Sequence, residues 1–133
     1  MIRYLLDTNS FSYAVRQRSQ AFNQRFQSIH ASSIAVSVVT EAELLFGLAR
    51  RPEAHALSRS VHALLGNIAI LPWAPSAARH YAGIRAELER RGLPMDDMDM
   101  MIAAHAMAEN ATLVTSDAAF RRIERLSLED WTL

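Results

Sequence analysis

Seven carboxylates stand where short apolar runs give way to turn or helix-start residues. Asp7 follows Tyr4-Leu5-Leu6, and Glu41 and Glu43 follow Ile34-Ala35-Val36-Ser37-Val38-Val39. Asp96, Asp97 and Asp99 precede an alanine- and methionine-rich stretch, and Asp117 follows Thr112-Leu113-Val114-Thr115. Carboxylates brought together repel one another and are tolerated only when a cation sits among them. An all-oxygen donor set suits Mg²⁺ or Mn²⁺, hard ions that also bridge phosphate oxygens. Such an ion can activate water and stabilise the leaving oxygen of a phosphodiester. Taken singly, each acid reads equally well as a helix N-cap or a partner of the helix dipole. The repetition of the placement is what points to chemistry.

The elements that would position these acids alternate. Five β-type runs are expected: Tyr4-Leu5-Leu6, residues 34–39, Ile68-Ala69-Ile70-Leu71, residues 112–115, and the weak Leu126-Ser127-Leu128. Between them lie helical stripes: Phe22, Phe26 and Ile29; Leu57, Val61, Leu64 and Leu65; Ala77, Tyr81, Ile84 and Leu88. Thr40 is the expected cap of a helix from Glu41 to Leu48, and Asp99 the opening residue of a helix through Ala108. Strands alternating with helices predict an α/β fold of three layers, α/β/α, with a mostly parallel sheet of about five short strands covered by helices. In such a sheet the strands end on one edge, and sites gather there.

Composition bounds the rest. The chain has 133 residues, the length of one domain spanning 1–133, with 14 basic and 14 acidic residues and no cysteine. Every basic residue is arginine. The absence of cysteine excludes disulfides, thiol nucleophiles and cysteine-ligated metals. The absence of lysine excludes Schiff-base chemistry and a P-loop. No stretch approaches the ~18 apolar residues of a membrane span, and no targeting signal is evident, so a cytoplasmic protein with no membrane association is expected.

Four segments in order resemble the motifs of PIN-domain nucleases, and their order and spacing resemble the VapC-type toxins of bacterial toxin–antitoxin pairs. They are Tyr4-Leu5-Leu6-Asp7-Thr8-Asn9; Ser37-Val38-Val39-Thr40-Glu41-Ala42-Glu43-Leu44-Leu45-Phe46-Gly47; Asp99-Met100-Met101-Ile102-Ala103-Ala104-His105-Ala106; and Leu113-Val114-Thr115-Ser116-Asp117 with Phe120. A closing Leu128-Glu129-Asp130-Trp131 follows. The resemblance implies that Asp7, Glu43, Asp99 and Asp117 are the catalytic, metal-binding acids, with Asn9, Thr115 and Ser116 in support and Asp97 a candidate for an outer position. It favours Glu43 over Glu41 because Glu43-Leu44-Leu45-Phe46-Gly47 has the family's form, and Asp99 over Asp97 because Asp99 directly precedes the Met-Met-Ile-Ala-Ala helix. One departure is Ala119, which stands where the family often has a second acid before the phenylalanine.

The same resemblance implies an endoribonuclease in which Mg²⁺, or Mn²⁺, activates water against an RNA phosphodiester, inhibiting translation or growth. It implies a VapB-like antitoxin that occludes the site, a homodimer, and larger assemblies with the antitoxin. The rivals are a receiver-like phosphoacceptor domain, a catalytically silent PIN-like module, and a related metal-dependent nuclease outside a toxin–antitoxin pair or acting on DNA. The missing lysine argues against the first and the four intact acids against the second. His105 is expected to be a packed or hydrogen-bonded core residue, the other histidines and the arginine pairs to lie on the surface, and Trp73 and Trp131 to anchor packing. Setting four acids into one pocket leaves ten against 14 arginines, so the neutral chain would have an acidic hole in a mildly basic body.

Overall fold

The computed structural model describes all residues, 1–133. Its centre is a five-stranded parallel sheet in the order β3-β2-β1-β4-β5, with β1 Tyr4–Leu6, β2 Ile34–Ser37, β3 Ala69–Leu71, β4 Thr112–Val114 and β5 Leu128–Glu129. The order reverses direction at β1, so the crevice between β1 and β4 is the topological switch point where open α/β sheets bind ligands. Register makes that crevice sharp. Leu6 pairs with Val36 on one side and Val114 on the other, so three strands end together and the chain leaves all three at one edge.

Six α-helices cover the sheet: α1 Thr8–Arg16, α2 Gln20–Gln27, α3 Val38–Ala49, α4 His55–Leu65, α5 Pro75–Arg90 and α6 Asp97–Ala108. Strand alternation divides the core between the two faces. Leu5, Ala35 and Leu113 point into a cluster with Ile84 and Leu88 of α5 and Ile102, Ala103 and Ala106 of α6. Tyr4, Leu6, Val36 and Val114 point the other way, against Phe11, Phe22, Leu44, Val61 and Trp131. The three-layer architecture is therefore as expected. The run of buried alanines on α6 lets that helix lie close to the sheet, and its apolar residues are spread around the helix because it is covered on most sides.

Strands β3, β4 and β5 are shifted or shortened by a residue or two from the expected runs, and two further boundaries differ in ways that bear on the site. Val38 and Val39 belong to α3 and not to β2, because the Ser37 hydroxyl accepts from the Val39 N–H at 3.1 Å and caps the helix there. Thr40 is therefore inside the helix. Likewise α6 begins at Asp97, capped by Asp96, whose carboxylate accepts from Met98 N–H and Asp99 N–H at 3.1 and 3.2 Å.

The C-terminal segment is latched to the sheet. Glu129 accepts from Arg25 at 3.2 Å and from the Trp131 indole at 2.9 Å, and Trp131 meets Tyr4 edge-on at 5.3 Å between ring centroids.

Candidate metal centre at the strand edge

Asp7 is the first residue past the central strand and is 4% exposed. One of its carboxylate oxygens accepts from Ser10 N–H at 2.8 Å, capping α1, while its own N–H continues the ladder to the Val114 carbonyl at 3.1 Å. Burial pushes its pKa up. Hydrogen bonds from Thr115 and Ser10 work in the opposite direction, and the charge of Asp117 adds a smaller upward push.

Asp117 leaves β4 two residues beyond Thr115, and the Thr115 hydroxyl accepts from the Asp117 N–H at 3.0 Å. The Asp117 carboxylate accepts from Ala119 N–H at 2.9 Å, capping the 3₁₀ helix Ala118–Arg122. Glu43 lies in the second turn of α3, where the Thr8 hydroxyl donates to it at 2.5 Å. Thr8 carries no signal in the sequence for this role, since its partner is 35 residues away.

Asp99, in the first turn of α6, reads the whole arrangement. Its pKa is pushed up to about 6, first by burial and then by the negative charges of Asp96, Glu43, Asp117 and Asp7. Acids from four separate elements are thus near enough to act on one carboxyl group. None of Asp7, Glu43, Asp99 and Asp117 has an arginine partner, because the four ion pairs of the molecule lie elsewhere.

As they stand, no three His, Asp or Glu side chains are gathered tightly enough to cage a metal ion. Asp7, Asp117 and Glu43 each have an oxygen engaged by the chain itself. The donor set still fits a hard divalent cation. It is all oxygen, it is uncompensated by arginine, and its like-charge repulsion is what a cation would relieve.

The supporting positions divide. Thr115 is buried and hydrogen-bonded within the site, whereas Asn9 and Ser116 are exposed and their side chains bond to nothing in the chain. Asp97 does not flank the site. It turns toward α5, where Arg85 approaches it at 3.5 Å, because a residue two before Asp99 faces another side of the helix. The extra carboxylate beside Asp99 is Asp96, legible in hindsight as the cap three residues before it. Asp97→Asn is therefore expected to leave catalysis within about twofold, against a near-total loss for Asp99→Asn. Glu43→Gln is expected to be far more damaging than Glu41→Gln. Initial-rate assays on the four purified variants check both rankings.

His105 is buried, as expected, and its Nδ1 lies 2.7 Å from Ser37 Oγ, which also accepts from Val39 N–H. Burial lowers the His105 pKa, keeping the ring neutral. This bond ties the start of α3, which carries Glu43, to α6, which carries Asp99.

Compared with known proteins, residues 4–126 match the family model of the PIN domain. The chain is 33% identical over 130 residues to "Ribonuclease VapC2" of Rickettsia felis, covering 96% of this chain and 97% of that one. It is 30% identical over 132 residues to "tRNA(fMet)-specific endonuclease VapC" of Salmonella typhimurium, covering 98% and 99%. Among solved structures it superposes on a chain of DNA-bound VapBC from Salmonella typhimurium with a TM-score of 0.90 at 30% identity, covering 98% of this chain and 99% of that one. On a chain of VapBC2 from Rickettsia felis bound to a promoter DNA fragment the TM-score is 0.89 at 33% identity, covering 98% and 99%. The chain is thus an α/β/α domain with acids around the switch point of its parallel sheet, and it belongs to the PIN-domain family.

Proposed function

We propose that this chain, as one domain over 1–133, is a Mg²⁺-dependent endoribonuclease, with Mn²⁺ as an alternative ion, and the toxin of a VapBC-type pair acting in the cytoplasm. The observation that carries this reading is the convergence of Asp7, Glu43, Asp99 and Asp117, uncompensated by any arginine, on one sheet edge. Relatives of nearly the same length named as ribonucleases support it. Asp7, Glu43, Asp99 and Asp117 would hold the ion. A bound Mg²⁺ supplies a Lewis acid that polarises water and neutralises charge developing on the phosphate. The chain's own task is positional: Thr8 fixes Glu43, Ser10 and Thr115 fix Asp7, and Asp96 fixes the backbone beneath Asp99. No histidine or lysine stands among these acids to serve as a general base.

The surface beside Glu43 supports an antitoxin partner. A cleft of about 600 Å³ between α1, α3 and α4 joins Thr8 and Glu43 to Leu44, Leu48, Leu57 and Val61. Arg16, Arg50 and Arg51 stand at its rim, and on α3 Phe46 is 62% exposed. An antitoxin segment with apolar residues for the floor and acids for the rim would cover the catalytic edge, and solved VapBC complexes among the neighbours support such a pairing. A homodimer, and heterotetramers or larger assemblies with the antitoxin, complete the proposal.

The test is cleavage of total RNA by the purified chain with Mg²⁺ or Mn²⁺. Activity falls to background in EDTA and returns when the ion is restored in excess. Sequencing the new RNA ends identifies the target. Cleavage that persists undiminished in EDTA would overturn the mechanism.

A further inference from the structure

A second charged feature lies beside the segment that follows the 3₁₀ helix. Arg79, Arg90, Arg91, Arg122 and Arg125 line a cleft of about 500 Å³ between α5 and the segment that follows the 3₁₀ helix. Its only acids are Glu87 and Glu124, which leaves three positive charges in excess, and Glu87 is already taken by Arg90. Arg91 donates to the Arg122 carbonyl at 2.9 Å, and Arg122 donates to the Pro94 carbonyl, so two guanidinium groups are held in place by backbone. Arg79 and Arg125 are exposed, with no acid and no hydrogen-bond acceptor within the chain. Ile84, Leu88, Met107 and Ile123 form the floor.

One end of the cleft is tied to the candidate site through the chain. The 3₁₀ helix that ends in Arg122 is capped by Asp117, and Pro94, which Arg122 grips, is two residues before Asp96. From there the arginines extend back along α5, and Arg79 to Arg90 covers about 16 Å of helix at 1.5 Å per residue. A single phosphate needs far less length, whereas a nucleic-acid strand uses all of it. Arginine suits this task because its planar fork matches phosphate oxygens and stays charged at every relevant pH.

We propose that this cleft holds the phosphate backbone of the RNA strand on one side of the cleavage position. It would be a track that starts at the metal centre and runs along α5. The proposal rests on the nuclease reading above. RNA is favoured over an acidic protein because Arg122 joins the cleft to the segments that carry Asp96 and Asp117, acids suited to a phosphodiester. Backbone contacts of this kind supply affinity and register and carry no sequence information.

The test uses the double variant Arg79→Ala/Arg125→Ala and, as a control for bulk charge, Arg18→Ala/Arg59→Ala, which removes two exposed arginines outside the cleft. Binding of a fluorescent single-stranded RNA of about 20 nucleotides is followed by anisotropy in EDTA, across a salt series. Kd is expected to rise about tenfold for the cleft variant and to stay within twofold for the control. The slope of log Kd against log salt is expected to fall by about 0.7 per arginine removed. Arg79→Lys/Arg125→Lys, which keeps the charge, is expected to recover most of the slope. Unchanged RNA affinity in the cleft variant overturns the proposal, whether or not the variant has lost a protein partner. An equal loss in the control overturns it too. If the unaltered chain cleaves RNA and the cleft variant binds as it does, the track alone has failed. If the unaltered chain cleaves no RNA with either ion, the nuclease reading has failed first.

Discussion

Asp99→Asn is expected to yield a chain that is folded, inert and, above pH 6, harder to unfold than the original. Cleavage falls at least ~10³-fold, a loss of ~4 kcal/mol of transition-state stabilisation. The stability gain follows from the charges around Asp99, whose pKa of about 6 reflects burial and the neighbouring Asp96, Glu43, Asp117 and Asp7. Between the ordinary value of 3.8 and about 6, the folded chain keeps a proton on Asp99 that the unfolded chain has released. The native state therefore binds more protons in that window, and stability falls as pH rises through it. Above pH 6 the folded state carries the whole repulsion, which a neutral amide removes. Since Asp99 is partly exposed, solvent screens the effect to ~1 kcal/mol. Urea unfolding in EDTA at pH 5 and pH 8 is the measurement. A variant no more stable than the original at pH 8 would show that the acids do not act on one another as described. A variant with full activity would remove Asp99 from the site.

Asp7→Asn is the second large effect, with a different signature. Asparagine caps a helix as well as aspartate does, so the bond from Ser10 N–H survives, and the Thr115 hydroxyl can accept from the new amide. The fold is expected to persist with a Tm within a few degrees, while cleavage falls by ~10³-fold or more and growth inhibition disappears. Asp7→Ala removes the cap as well and costs ~1 kcal/mol beyond the charge. Near-normal RNase activity in a folded Asp7→Asn variant would refute the assignment of this edge as the active site.

These expectations rest on features that were unequally visible in the sequence. The parallel sheet and its five strands were legible because β1 and β2 are buried on both faces and read as continuous apolar runs. The four acids were legible through their motifs and through the habit of parallel sheets of delivering strand ends to one edge. Two boundaries were not. Val38 and Val39 are β-branched and extend the pattern of β2, yet a single hydroxyl at Ser37 turns the chain into a helix, and propensity yields to the cap. Asp96 and Asp97 could not be separated by type, since only the start of α6 decides which one faces Asp99 and which one faces Arg85. Thr8 and Ser37 were silent because their partners, Glu43 and His105, are distant in sequence and are brought close only by packing. The arginine cleft was half legible. Arg90-Arg91 and Arg121-Arg122 stood out as pairs, but Arg79 and Arg125 join the cleft only through the packing of α5 against the chain that follows the 3₁₀ helix.

The central position of β1 also governs when the acidic edge is assembled. Of the five strands β1 is made before the other four, yet it needs both neighbours, and one of them, β4, follows more than a hundred residues later. Ser10 finds its acceptor on Val114, 104 residues later. At ~5–20 residues per second this is a wait of roughly 5–20 seconds, during which Asp7 has neither Thr115 nor Asp117 beside it. A nascent chain without β4 therefore lacks the assembled acidic edge. The order of strands in the sheet sets the order in which its acids come together.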